Sequence, residues 1–175
     1  MTARYTQTAA WLHWVMAALI IANLVIGLSD GAIGSIRAHK AIGLTVLALA
    51  LVRLAWRLAH RPPPLPADTS PAERRLAGVV HAILYGLMIA VPLAGWIMVS
   101  NASELRPLTW FGLFDLPFLQ LDPAAYAPAK AIHSALGIAF GLLVLGHIAA
   151  ALRHQFVKRD HLLDRMTMSS TQPGQ

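Results

Sequence analysis

Two histidines lie fourteen residues apart in the apolar stretch KAIHSALGIAFGLLVLGHIAAALRH, which runs from Lys130 to His154. A titratable side chain inside a bilayer-length helix is costly and by default marks a functional site. Fourteen residues of α-helix rise about 21 Å and return to within about 40° of the same face. His133 and His147 therefore look out from one side of one helix at opposite depths of a membrane. That arrangement suits two metal centres stacked across a bilayer, provided other segments supply partners.

The composition supports a membrane setting. Of 175 residues, 57% are hydrophobic and only 13% charged, and the mean hydropathy is +0.57. Several bilayer-length apolar segments account for such values. The chain has no cysteine, which excludes disulfides, thiolate metal sites, iron–sulfur clusters and haem attached through C-x-x-C-H. Any metal must be held largely by histidine. The formal charge of +6 does not point to nucleic acid, because the basic residues lie at the ends of apolar segments, where membrane topology explains them.

Four segments approach the roughly 20 residues that cross a hydrocarbon core: about 9–28, 38–58, 76–99 and 129–152. The first has the basic start of a cleavable signal peptide, but a histidine between two tryptophans makes a poor signal core and no small-x-small site follows. RPPPLPADTSPAERR separates the second and third spans, and its prolines cannot continue a helix. The third span contains Pro92, which membrane helices tolerate. Residues 100–128 hold Trp110, Phe111, Phe114 and Phe118 among prolines, the composition of an interfacial cap. The end of the chain, 167–175, reads as a disordered tail.

Four spans place both termini on one side. That side gathers Arg4, Arg53, Arg57, Arg61, Arg74, Arg75, Arg153, Lys158, Arg159 and Arg165; the other has only Arg37, Lys40, Arg106 and Lys130. The excess of positive charge assigns the termini to the cytoplasm. The expected fold is thus all-α, a transmembrane four-helix bundle forming a single domain over 1–166.

This topology gives each histidine a depth. His13 and His147 fall at the inner level, His39 and His133 at the outer one, and each pair draws on two helices. Bis-histidine haem fits best: imidazole suits iron, six-coordinate iron exchanges electrons without binding a substrate, and a bundle core can hold a flat macrocycle. A zinc site would want three or four ligands close together. Gly27 and Gly43 are small residues near the outer pair that would let a ring approach the backbone. Arg53, fourteen residues after His39, reaches the inner level, where it can pair with haem propionates, as Lys40 and Lys130 can outside. His81 and His154 are candidates for a propionate or quinone contact, the latter beside Arg153 and Lys158. Gly137 and Gly141 read as a helix-packing motif, Trp11 and Trp14 as interfacial anchors, and His60 and His161 as loop histidines without a task.

The motifs RYTQTAAWLHW, AHKAIGL with VRLAWRL, HAILYGLMIAVPLAGW, and HSALG with HIAAALRHQFVKRDHLLDRM together resemble the bacterial cytochrome b561 family of four-helix, di-haem membrane proteins, over about residues 4–166. The resemblance implies two b haems ligated by His13, His39, His133 and His147, and a quinone site to which His154 and Lys158 match. It also implies a bacterial inner-membrane location, with ubiquinone as acceptor and superoxide or another periplasmic donor as the electron source, an activity like that of a superoxide oxidase. Related b-type subunits anchor hydrogenases or formate dehydrogenases; short termini without a soluble domain favour a free-standing protein. A non-redox transporter or scaffold with paired histidines is the alternative of a different class.

Overall fold

The computed structural model describes residues 4–29, 32–65, 69–119 and 121–167. Four helices dominate it: α1 (Gln7–Leu28), α2 (Ile36–Ala59), α3 (Pro71–Ser100) and α4 (Tyr126–Arg153). All four are long and apolar enough to cross a membrane. Each of the first three begins where a side chain can accept an orphan backbone N–H. Thr6 takes the N–H of Ala9 at 3.3 Å and Ser35 that of Ala38 at 3.1 Å. Ser70 and Glu73 form a reciprocal capping box, with Pro71 just inside the helix. These caps lengthen the helices by up to five residues beyond the apolar runs, since polar residues can finish a turn outside the hydrocarbon. Of the expected tail only Thr167 lies within the described residues.

Consecutive helices pack side by side, while α1 and α4 touch only sparsely. The core contains Met16 and Ile20 of α1, Val46 and Ala50 of α2, Met88 of α3 and Phe140 of α4. Phe140 lies midway along α4 between His133 and His147, so this apolar slab separates the two histidine levels. Outside it the polarity is that of a protein dissolved in lipid: Leu76, Leu142 and Leu145 are 64–66% exposed.

The two ends are closed differently. At one, residues 108–116 form an antiparallel hairpin, β1 (Leu108–Trp110) with β2 (Phe114–Leu116), in register Leu108 to Leu116 and Trp110 to Phe114. The all-α expectation omitted this hairpin because three-residue strands leave no alternation to read. Its turn has positive φ at both Phe111 and Gly112, and the Leu113 N–H reaches the Trp110 carbonyl at 2.9 Å, the turn whose twist suits paired strands. Trp110 donates to Thr45 of α2 at 3.0 Å, Trp96 to the Pro117 carbonyl at 3.0 Å, and Leu119 N–H to Ser100 at 2.9 Å. The described residues between α3 and α4 therefore form a cap held by side chains of α2 and α3.

At the other end a single π-helical turn, His154–Lys158, follows α4. The chain then reverses through left-handed Arg159 and His161. Tyr5 N–H meets the Arg165 carbonyl at 3.2 Å, and the Trp14 indole donates to the Met166 carbonyl at 2.8 Å. The two described chain ends thus meet at one end of the bundle, and Trp14, read as a lipid anchor, is tied to the C-terminal segment.

Ser100 is 3% exposed and also donates to the Trp96 carbonyl at 2.7 Å. Ser100→Ala strips the acceptor from Leu119 N–H, which costs about 1–3 kcal/mol. The expected outcome is a thermal midpoint lowered by a few degrees, with faster amide exchange confined to the cap; unchanged exchange at Leu119 contradicts this anchoring.

Candidate functional site

The pair at the capped end of the bundle, labelled outer after the topology expected from the sequence, is built from all four helices. The ring centroids of His39 and His133 are 6.0 Å apart with planes at 82°. Each ring lies on a glycine of a neighbouring helix. A Cβ at Gly27 would stand 2.7 Å from His39 Cε1, and one at Gly95 would stand 3.0 Å from His133 Cε1 and Nδ1. From that position His39 Nδ1 bonds the Asn23 carbonyl at 3.2 Å, and His133 Nδ1 bonds the Val91 carbonyl at 2.9 Å. In both cases the carbonyl belongs to the residue four before the glycine, one turn back on the same face.

This arrangement fixes the chemistry of each ring. A carbonyl can only accept, so a neutral imidazole bonded to it carries its proton on Nδ1 and leaves the lone pair on Nε2. Metal-bound histidines are oriented in this way. Imidazole–metal bonds of about 2.0–2.1 Å, extended by about 1 Å to each ring centre, place two rings on one metal about 6 Å apart.

Both rings line a cavity of about 290 Å³ under the cap residue Leu108, at the lower edge of small-molecule pocket sizes. Gly27, Gly43, Gly95 and Gly137, one from each helix, also line it. Asn23 on the same wall has a buried side-chain oxygen without a hydrogen-bond partner, so the wall retains hydrogen-bonding capacity. A flat group gripped between two imidazoles and backbone-lined walls fits these residues.

The inner level assembles differently. His13 and His147 have centroids 6.3 Å apart at 78°, again the spacing of two rings on one metal. His81 is nearer to His147, at 5.5 Å, and bonds its own helix at the Ala77 carbonyl, 2.6 Å. Arg53 binds the Ala9 carbonyl at 3.0 Å and the Tyr85 hydroxyl at 3.1 Å, with its third nitrogen 3.4 Å from His13 Nδ1. An arginine only donates, so His13 has no carbonyl there to fix a ligand tautomer. The inner pair thus has the spacing but not the locked orientation of the outer one.

The remaining candidates are dispersed. His154 Nδ1 pairs with Asp160 at 2.5 Å, and Lys158 is paired with Glu73 of α3. His60 stacks on Trp56 at 3.9 Å, and His161 binds Asp164 at 2.8 Å. Lys40 lines the outer cavity, whereas Arg106 pairs with Glu104 at the surface. Gly137 does not act as a packing contact: a Cβ there would meet nothing within 4 Å, and only Gly141 approaches α1, at Leu24 and Leu28. Gly95, Val91 and Asn23 were not singled out from sequence. Gly95 follows His81 by fourteen residues, the same step that links Gly27 to His13, and that step would have revealed it.

Paired intramembrane imidazoles with metal-compatible spacing, and without any cluster of three or more metal-binding side chains among the described residues, define a haem-binding membrane electron-transfer protein. The pattern of the prokaryotic cytochrome b561 family matches residues 4–169, and the chain belongs to that family. It is 32% identical to cytochrome b561 homolog 2 of Escherichia coli (strain K12), across 96% of this chain and 93% of the relative. It is 30% identical to cytochrome b562 of Cereibacter sphaeroides, across 93% and 94%. It is also 30% identical to the "Probable superoxide oxidase CybB" of Yersinia pestis, across 93% and 95%. Membership implies haem b and a multi-pass membrane protein, which sets aside the non-redox reading.

Gly27→Ala should push His39 off the Asn23 carbonyl and lower the haem bound per chain. Gly78→Ala, where a Cβ meets nothing within 4 Å, should leave haem content unchanged. Absorbance of the purified variants per mole of protein checks both; equal haem content in the two contradicts the glycine cradle.

Proposed function

We propose that the protein is a di-haem b electron carrier of the bacterial inner membrane, passing electrons from a donor at its outer face to the quinone pool. One observation carries this reading: two imidazole pairs, at 6.0 and 6.3 Å, lie on opposite sides of one apolar slab. His39 and His133 hold one haem, His13 and His147 the other. Each haem, when bound, supplies reversible one-electron chemistry. The termini face the cytoplasm in this reading, which the excess of arginine and lysine at that end supports.

The protein's own groups have separate tasks. Asn23 and Val91 carbonyls keep the outer imidazoles in the ligand tautomer, and the slab around Phe140 excludes water between the levels. Arg53 holds α1 and α3 together and offers positive charge to carboxylates at the inner level. Lys40, which lines the cavity beside His39 and His133, supplies the positive charge that attracts an anionic donor there. Superoxide is the donor favoured by likeness to the Yersinia protein. Two superoxide anions each lose one electron and leave as dioxygen, while one ubiquinone takes both electrons and two protons. At the inner end His154 presents Nε2, its Nδ1 being engaged by Asp160, and Lys158 has donors beyond the one given to Glu73; these contact the quinone.

The reduced-minus-oxidised spectrum of detergent-purified protein should show b-type bands from two haems, and His133→Ala should remove one and spare the other. Loss of both, or absence of b bands in the parent, sinks the assignment. Superoxide consumption coupled to ubiquinone reduction should slow as ionic strength rises. If superoxide is not consumed while both haems are present, another outer donor supplies the electrons.

A further inference from the structure

With His13 and His147 on the inner iron, His81 is a third histidine at that level without a ligand position. Its place follows from the fourteen-residue step that relates the two levels. On α4 that step takes His133 to His147, and on antiparallel α3 the reverse step takes Val91 and Gly95 to Ala77 and His81. The same step on α1 and α2 takes Asn23 and Gly27 to Ala9 and His13, and His39 to Arg53. There it carries contacts as well as positions: His39 bonds the Asn23 carbonyl at 3.2 Å, and Arg53 bonds the Ala9 carbonyl at 3.0 Å.

Between α3 and α4 the outer level has room for a direct bond. Gly95 uncovers the Val91 carbonyl, and His133 Nδ1 reaches it at 2.9 Å. At the inner level a histidine stands where that glycine would be, and His81 Nδ1 takes the Ala77 carbonyl itself, at 2.6 Å. A carbonyl only accepts, so the neutral His81 ring has its proton on Nδ1 and a bare lone pair on Nε2. An acceptor is what an iron-bound imidazole requires, because its other nitrogen keeps an N–H.

Ring separations distinguish the two roles. With about 1.1 Å from a ring nitrogen to the ring centre, two imidazoles on one metal have centres about 6.3 Å apart. Two imidazoles sharing one proton, with nitrogens about 3 Å apart, have centres about 5.2 Å apart. His13 and His147 are separated by 6.3 Å, and His81 and His147 by 5.5 Å. The first pair has the separation of two ligands, and the second is nearer to that of a hydrogen bond.

We infer that His81 is a positioning residue for the inner ligand His147, accepting its N–H on Nε2 and connecting it to the Ala77 carbonyl; this rests on the di-haem reading above. An acceptor on a ligand's N–H makes the ligand more basic and favours ferric over ferrous iron. Redox titration of the full-length haem-loaded protein tests the inference, with the parent, His81→Phe and His81→Gln each also carried in a His133→Ala background where the inner haem titrates alone. His81→Phe keeps a ring without the acceptor. It should raise the inner midpoint potential by about 59 mV, a tenfold loss of ferric preference, and leave the outer midpoint in place. The Gln Oε1 reaches where His Nε2 stands, so His81→Gln should keep the inner midpoint near the parent's. If His81→Phe does not take up haem, His81→Leu gives the same reading. Equal midpoints in all three proteins, or equal shifts with phenylalanine and glutamine, overturn the inference. A lowered inner midpoint with phenylalanine would place His81 on a haem carboxylate and overturn it. Loss of the inner haem from folded His81→Gln would make His81 an iron ligand and overturn it as well. A parent with fewer than two b haems sinks the di-haem reading and the inference together, whereas a failed contrast with both haems bound sinks the inference alone.

Discussion

The structure depends on one constraint: an imidazole inside a membrane must satisfy its N–H without using the nitrogen meant for a metal. A backbone carbonyl is the natural acceptor, yet inside a helix side chains normally cover it. Here a glycine one turn further on removes that cover. His39 rests on Gly27 and reaches the Asn23 carbonyl, while His133 rests on Gly95 and reaches the Val91 carbonyl. The same device therefore serves two helix pairs, α2 on α1 and α4 on α3. It couples helix packing to tautomer, so the bundle cannot shift without disturbing the lone pairs.

The rest of the fold can be read as support for that coupling. The slab of Met16, Ile20, Val46, Ala50, Met88 and Phe140 keeps the helices in register between the two levels. Thr45, Trp96, Ser100 and Asn101 hold the cap over the outer cavity. At the opposite end, the described chain ends, the proline run and the π-helical turn are tied by backbone and side-chain bonds, with Lys158 and Glu73 joining the turn to α3. The outer level is the more rigidly prepared of the two. At the inner level Arg53 faces His13 where a carbonyl would have fixed it.

Much of this was legible in the sequence because each helix repeats a fourteen-residue step. His13 with Gly27, His39 with Arg53, His81 with Gly95 and His133 with His147 are four such pairs. In the structure the members sort into an outer set of two histidines on two glycines and an inner set of three histidines with an arginine. Apolar length and proline placement located the four spans. Gly95 escaped because the fourteen-residue step was not followed from His81, which was assigned to a propionate or quinone, and Gly137 was misread because its spacing to Gly141 mimics a packing motif. The hairpin at 108–116 was invisible, since its strands are too short for periodicity and its turn needs positive φ at Phe111, a residue that does not advertise it. The ion pairs of His154 and Lys158 depend on a chain reversal that only the folded end reveals.

Iron anomalous diffraction from crystals of the haem-loaded protein tests the central claim most directly. The account predicts two iron peaks about 20 Å apart along the bundle, the rise of fourteen helical residues, one between His39 and His133 and the other between His13 and His147. A single peak, or an iron bound by His81 in place of His13, would contradict it.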